Sequence, residues 1–375
     1  MRLIIIQEII PHYRLPFLKM VAEVESIDLT VVSSILGSED GFSIPDTSYV
    51  GFKWIQLPLV KKNILNINII WLCKLFQIVA DVRPDIIITS GNKRIIQNHI
   101  LQLLRFIKGF RLLYLQHAKT YSSNSKIFLY FEKLYFRCYT LLLSDGFVLY
   151  TKWEKLKMIQ EGFPENKLSY LNNTIDAEQI KKNVKLQSAE RVNRILAKYD
   201  IARCQSIIFI GRLTNAKNPS EIFQYCELIK EQYKGIQVIF ISDKPKEYDN
   251  SLSQYIFTGL IYDEEIISAI MTQCRFVFIP FGAGLSIIHA FAYGKPVVVV
   301  DSPNHCPEIM YVRNDINGVI LKGKDTFDNV MGLKKIMVDD YYYNMLCDNA
   351  LKTVDEYSIK QMVKNLTMCL SQYET

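Results

Sequence analysis

Short runs rich in Ile, Val and Leu alternate with longer amphipathic stretches along almost the whole 375-residue chain, and they do so twice. In the first half, the runs at 3–7, 29–33, 86–89, 111–115 and 146–150 have the length and β-branched content of buried strands, with a weaker one at 168–171. Stretches with helical spacing lie between them at 15–24, 67–80, 94–107, 126–138 and 152–161. After Asn172 the rhythm pauses over a polar helical segment, 181–199. It restarts with strands at 207–210, 237–241, 255–258, 276–279, 297–300 and 318–321. Such alternation builds parallel sheets covered by helices on both faces. Two successive runs predict an α/β chain of two Rossmann-like domains, with ligands at the carboxyl ends of the strands in a cleft that both domains face. Three further helical stretches, 325–335, 340–351 and 359–371, have no strand to return to. Crossing back onto the first domain is an economical way to bury the last of them. The reading divides the chain into 1–178, 179–352 and a terminal segment, 353–375, packed on the first domain.

Composition narrows the class. Hydrophobic residues make up 49% and charged residues 22%, which describes a globular chain and excludes a disordered one. The net charge of +6 sits in the first half, where residues 1–170 hold 21 Lys and Arg against 14 Asp and Glu. Eight cysteines show no C-x-x-C pair and no regular framework, which suits a reducing, cytoplasmic setting. The first ten residues read as a strand rather than a signal peptide, because Glu8 interrupts the apolar run. No stretch approaches the roughly 18 uncharged apolar residues of a membrane span.

The most informative stretch is 281–301, FGAGLSIIHAFAYGKPVVVVD. A Gly-rich loop follows the strand at 276–279, a helix opens at Ser286, and Gly294-Lys295-Pro296 stops it before the strand at 297–300. A glycine loop feeding a helix start presents backbone N–H groups to an anion. After the strand at 207–210 comes GRLTNAKNP, in which Arg212 and Lys217 are spaced to meet one diphosphate.

These residues resemble a known family. F-I-G-R-L…K, then P-x-G-x-G-L…A-x-A-x-G-x-P-V-V, then P-E-I with N-G shortly after, are similar in order and spacing to the second domain of GT-B glycosyltransferases. The resemblance is strongest to glycosyltransferase family 4 and its bacterial surface-polysaccharide branch. The matching positions are Gly211, Arg212 and Lys217; Gly282, Gly284 and Leu285; Ala290, Ala292, Gly294, Pro296 and Val297; and Pro307, Glu308, Asn317 and Gly318. Pro11-His12-Tyr13-Arg14, Tyr150-Thr151 and the N-x-x-D run ending at Asp176 extend it more loosely over the first half. Many family members carry two Glu flanking the glycine loop, and here those positions are Phe281 and His289.

The resemblance implies a GT-B fold and transfer of a sugar from a nucleotide-diphosphate donor. The donor side would comprise Gly211, Arg212, Lys217, Gly282, Gly284, Leu285, Ser286, His289 and Glu308, with His289 beside the ribose. An imidazole there accepts one hydrogen bond but cannot chelate two hydroxyls as a carboxylate does. His117, at a strand end, and His12 are the candidate catalytic residues, since an imidazole suits deprotonation of an acceptor hydroxyl. Arg14 would line the acceptor side. Neither a D-x-D metal motif nor a G-x-S-x-G elbow is present, so the expected chemistry uses no metal or other cofactor, with cations and helix dipoles stabilising the leaving diphosphate.

Lys93, Arg94, Arg105, Lys108, Arg111, Lys119, Lys126, Lys133 and Arg137 are interleaved with Ile, Leu, Phe and Tyr, as on a face that meets an anionic membrane. No nucleic-acid-binding module appears. The expectation is therefore a hexosyltransferase of the retaining kind, cytoplasmic and peripheral on the inner face of the membrane. It would act on a glycan or lipid-linked acceptor in capsule, O-antigen or lipopolysaccharide synthesis. Two other readings stay open on sequence alone: a nonhydrolysing nucleotide-sugar epimerase, and a non-catalytic partner subunit.

Overall fold

The computed structural model describes residues 1–35, 50–64, 67–92, 94–118, 142–245 and 252–373, with a few positions between 119 and 141. The chain forms two compact units, Met1–Asn173 with Ile359–Thr375, and Thr174–Ser358. The first boundary lies ahead of residue 178 because Asn173 is held inside the first unit. Its N–H donates to the Tyr150 carbonyl at 2.7 Å, and its side chain accepts from Arg14 at 3.0 Å. Ala177 and Ile180 already pack in the core of the second unit.

Among the described residues the first unit holds nine strands: β1 (Arg2–Ile6), β2 (Asp28–Ser34), β3 (Lys53–Leu57), β4 (Leu59–Ile64), β5 (Ile67–Leu72), β6 (Ile86–Ser90), β7 (Arg111–Gln116), β8 (Gly146–Leu149) and β9 (Leu168–Tyr170). Seven form a parallel sheet in the order β3-β2-β1-β6-β7-β8-β9. Side chains alternate across it as a strand requires. Leu3 and Ile5 enter one core with Phe17 and Leu18, and Ile4 and Ile6 enter another with Leu112 and Tyr114. The helix Ile359–Ser371 completes the former core with Met362, Val363, Leu366, Cys369 and Leu370. The C-terminus thus returns to the first unit.

One expected helix is corrected. Residues 67–80 are not a single helix: β5 occupies Ile67–Leu72, pairs antiparallel with β4, and is followed by the helix Leu75–Val82. The β-branched run INII favours a strand once a complementary run stands next to it. The expected helix at 126–138 falls largely outside the described residues.

The second unit contains β10 (Ser206–Ile210), β11 (Gln237–Ile241), β12 (Ile256–Phe257), β13 (Cys274–Phe278), β14 (Val297–Val300) and β15 (Gly318–Leu321). They form one parallel sheet, β12-β11-β10-β13-β14-β15, which is the Rossmann order 3-2-1-4-5-6. Ile208 and Ile210 face one core while Ile207 and Phe209 face the other, so both faces are buried under helices. The helix Asp340–Glu356 contributes Leu346, Ala350 and Val354 to these cores, which carries the second unit on to Ser358.

Candidate functional site

In the second sheet the strand order reverses between β10 and β13, and connections leaving these neighbours diverge at their carboxyl ends. Gly211 leaves β10 with φ +119° and Gly282 follows β13 with φ +63°. Both conformations favour glycine. The Lys217 side chain runs between them. A Cβ on Gly282 would lie 2.9 Å from its Cγ, and one on Gly211 would lie 3.3 Å from its Nζ. Lys217 is half-buried, its ammonium lies 5.4 Å from the Phe209 ring centre, and it has no carboxylate partner among the described residues. Burial pushes its pKa down from 10.5, against an opposing influence of the Cys306 thiol. A cation so held, with half-buried Arg212 on the same loop, suits an anionic ligand.

The glycine loop is braced from the following connection. Cys306 N–H donates to the Ala283 carbonyl at 2.8 Å. His305 accepts from the Ala283 N–H at Nδ1 (3.1 Å), and its Nε2 lies 2.7 Å from the Val300 carbonyl. Those partners place the proton on Nε2, and burial lowers the pKa of the ring below 6.5. Gly284 is so close to this connection that a Cβ would meet Cys306 at 3.2 Å and stand 3.9 Å from the buried Glu308 carboxylate. Leu285 and Ser286 then open the helix Ser286–Ala292, where the Ile287 N–H donates to the Gly284 carbonyl at 2.9 Å.

His289 lies on this helix with its Nε2 3.1 Å from Oε2 of Glu264, at the start of the helix Glu264–Met271. The Tyr293 hydroxyl donates to the same carboxylate oxygen, and burial pushes the phenol pKa up. The carboxylate only accepts, so Nε2 carries the proton and Nδ1 is the remaining acceptor. Phe281 is buried and packs against Tyr225, with ring centres 6.4 Å apart. Position 281 therefore belongs to the core of the second unit.

In the first unit, His117 follows β7. Its side chain is 55% exposed and stacks on Tyr150 at 4.2 Å between ring centres. Its Nδ1 lies 3.3 Å from Oε1 of Glu154, a carboxylate that is only 1% exposed. Glu154 also accepts from the backbone N–H groups of Ala118 (2.7 Å) and Thr151 (3.1 Å), closing a capping box at the start of the helix Lys152–Gln160. The imidazole is thereby held with Nε2 outward. His12 is exposed on the 3-10 turn His12–Arg14 and makes an edge contact with Tyr13 at 5.8 Å. Arg14 lies inside: it is 6% exposed, bonded to Asn173 and set among the Tyr13, Phe17 and Tyr150 rings at about 6 Å.

The structure thus adds Glu154, Glu264 and His305 to the residues that sequence reasoning singled out for a site. Glu154 was legible as the T-x-x-E signature after β8. Glu264 lies 25 positions from His289 in sequence, and nothing in the local pattern joins them. Of the basic residues expected on one face, Lys93, Lys119, Lys126 and Lys133 lie outside the described residues.

Residues 204–337 match the family model described as "Glycosyl transferases group 1", so this part of the second unit is a domain of that type. No curated protein matches the chain by sequence. Among solved structures, a glycosyltransferase from Rickettsia africae is similar with a TM-score of 0.74 at 15% identity, covering 100% of this chain and 99% of that one. Anabaena HepE in complex with UDP gives 0.71 at 13% identity, with 99% and 100% covered. The UDP-GlcNAc 2-epimerase of Neisseria meningitidis bound to UDP-GlcNAc gives 0.64 at 15% identity, with 99% and 100% covered. These likenesses span the full chain and establish the fold as GT-B, with two Rossmann-like domains of parallel sheet.

Proposed function

We propose that this chain is a glycosyltransferase that takes a sugar from a nucleotide-diphosphate donor. The observation that carries the reading is Lys217, an ammonium threaded between Gly211 and Gly282 where the second strand order reverses, inside the segment that matches the glycosyl transferase model. In this reading Arg212 and Lys217 neutralise the diphosphate, and the backbone N–H groups of the 284–286 stretch assist. No metal is needed for that charge. The Anabaena neighbour was solved with UDP, which makes a uridine donor the first to try. His289 offers the ribose one acceptor nitrogen, and Glu264 brings the carboxylate that position 289 lacks. Glu308 lies behind Gly284 as a further polar contact.

The acceptor side is assigned to the first unit, with His117 as the residue that meets a sugar hydroxyl and His12 at the rim. Arg14 acts there by fixing the turn and not by touching ligand. We place the protein in cell-surface polysaccharide synthesis, of the capsule or O-antigen kind, with a lipid-linked glycan as acceptor and a peripheral position on the cytoplasmic membrane face. Retention of anomeric configuration follows from the family resemblance. One observation favours inversion as a second reading: a buried carboxylate orients His117 as it would orient a general base, and the product anomer distinguishes the two. An epimerase shares the fold, but the proposed donor side holds cations rather than paired acid and base carboxylates.

The test is binding and turnover with a panel of nucleotide sugars. Arg212→Ala combined with Lys217→Ala should weaken nucleotide-diphosphate binding by roughly a hundredfold to ten-thousandfold, from about 1.5–3 kcal/mol for each charged hydrogen-bonding group. Unchanged affinity, or no binding of any donor by the parent protein, would sink the assignment. Interconversion of two nucleotide sugars without transfer would establish the epimerase instead.

A further inference from the structure

Glu8, which interrupts the first apolar run of the sequence, stands at the switch point of the first sheet. Strands β2 and β3 extend that sheet to one side of β1, and β6 to β9 extend it to the other. The connections leaving β1 and β6 therefore diverge at their carboxyl ends, and in open α/β sheets such a divergence is where ligands are held. Glu8 follows β1 there, Gly91 and Asn92 follow β6, and His117 follows β7.

The position of Glu8 is fixed from three sides. Its carbonyl accepts from the Ser34 N–H at 3.0 Å and from the Ser34 hydroxyl at 2.5 Å, which ties it to the end of β2. Its Oε1 accepts from Asn92 Nδ2 at 2.6 Å. Asn92 is held in turn: its Oδ1 accepts from the Arg94 N–H at 3.0 Å, and its carbonyl accepts from Asn98 at 3.3 Å. Asn98 is only 1% exposed and also bonds to Thr89 and to the Ser90 carbonyl. Gln116 lies across Gly91, where a Cβ would collide with its carboxamide, and so floors the space between Glu8 and His117. The Glu8 carboxylate is half-buried, and among the described residues it has no cation beside it and no donor for Oε2. An anion partly removed from water in this way needs donors from elsewhere.

We propose that Glu8 binds hydroxyl groups of the acceptor's terminal sugar, and that this sugar is uncharged. Calling that sugar an acceptor rests on the glycosyltransferase reading; binding of a sugar by Glu8 does not. Hydroxyl groups are neutral donors, and a carboxylate with one oxygen open takes them in charge-assisted hydrogen bonds. Glu8 and His117 follow strands that are two apart, so their backbones are separated by roughly 10 Å. The two side chains and one pyranose ring fill that gap, with Glu8 holding the ring and His117 meeting the reacting hydroxyl. A uronic acid or a phosphorylated sugar brings a second anion against Glu8 and is disfavoured. A metal ion is the poorer occupant, because no group of three His, Cys, Asp or Glu suited to one exists among the described residues.

Saturation-transfer NMR on the full-length protein, with UDP and without it, tests the assignment. The probes are methyl glycosides of glucose, galactose, mannose and their N-acetylamino forms, beside those of the corresponding uronic acids. At least one neutral glycoside should bind, and its uronic acid counterpart at least about tenfold more weakly. Glu8→Ala should weaken binding of the neutral glycoside by about tenfold or more, the loss of a hydrogen bond to a charged group, with UDP affinity and circular dichroism unchanged. Glu8→Gln retains an oxygen for Asn92 and should erase the discrimination against the uronic acid, which decides the matter if the alanine variant loses structure. Equal glycoside affinity in parent and alanine variant overturns the proposal. So does a parent that binds no neutral glycoside, or discrimination that survives in Glu8→Gln. A parent that binds no UDP but loses its glycoside with Glu8→Ala supports the sugar site while refuting the donor reading.

Discussion

At the residue scale the proposed chemistry rests on carboxylates that stand behind imidazoles. Glu154 is buried, holds two backbone N–H groups and directs His117, so its charge and its shape can be separated. Glu154→Gln keeps one oxygen for the Thr151 cap, removes the charge behind the ring and turns an amide NH2 toward the Ala118 N–H. We expect turnover to fall by about tenfold or more with KM little changed, since oriented acid–base groups contribute roughly 10²–10⁴ in rate. Stability should fall by about 1–3 kcal/mol, because one of the two buried backbone N–H groups loses its acceptor. Unaltered turnover would reduce Glu154 to a cap. Phe281 makes the converse point. The carboxylate that family resemblance led us to look for there cannot simply be restored, because position 281 is 8% exposed and packs on Tyr225. Phe281→Glu should destabilise the second unit by about 3 kcal/mol or more in denaturant titration and should not raise activity. How the two positions were legible differs in kind. Thr151 and Glu154 are three apart, and the capping pattern is local. The side chain at 281 was visible as a substitution, but its burial depends on Tyr225, which only the fold brings near.

At the element scale the proposed donor-side loop is a structure held by its successor in the chain. His305 bridges the Ala283 N–H and the Val300 carbonyl as a neutral ring, and protonation of Nδ1 removes the acceptor that Ala283 uses. The sign follows from the ring's lowered pKa: the unfolded chain, with an ordinary His near 6.5, takes up the proton first. Stability contributed by His305 is therefore present above pH 6.5 and lost as pH falls below it toward the depressed folded value. Denaturation of the protein between about pH 7 and 5 should show this acid slope, and His305→Gln should flatten it at a cost of about 1 kcal/mol at neutral pH. An identical slope in the variant would remove His305 from the account. Elements themselves were readable where the pattern was long and alternating. All six strands of the second sheet stood out as apolar runs bounded by Gly, Pro or polar residues. The β4–β5 hairpin did not, because INIIWL followed by CKLFQIVA reads equally as the first turns of a helix. Only its antiparallel partner Leu59–Ile64 decides between them, and β3 was missed beside it for lack of a bounded run.

At the scale of the whole molecule, the chain's path assigns the terminal helix and the donor-side residues to different units, and that separation is testable. The helix Ile359–Ser371 buries Ile359, Met362, Val363, Leu366, Cys369 and Leu370 against Leu3, Ile5, Phe17 and Leu18, all in the first unit. Its Asn365 also donates to the Leu171 carbonyl at 2.9 Å. At about 1.5–3 kcal/mol for each large buried side chain, an upper estimate, these contacts match the roughly 5–15 kcal/mol that stabilises a typical domain. Ending the chain after Ser358 should therefore unfold the first unit. The second unit keeps its whole sheet, both of its cores and every proposed donor-side residue from Gly211 to Glu308. Limited proteolysis of the shortened chain should leave a fragment close to Thr174–Ser358. That fragment should bind the nucleotide diphosphate of the donor, with transfer to any acceptor abolished. If the truncated protein instead loses nucleotide affinity while its second unit remains protease-resistant, the first unit supplies donor contacts, and the assignment of the donor to the second unit alone is wrong.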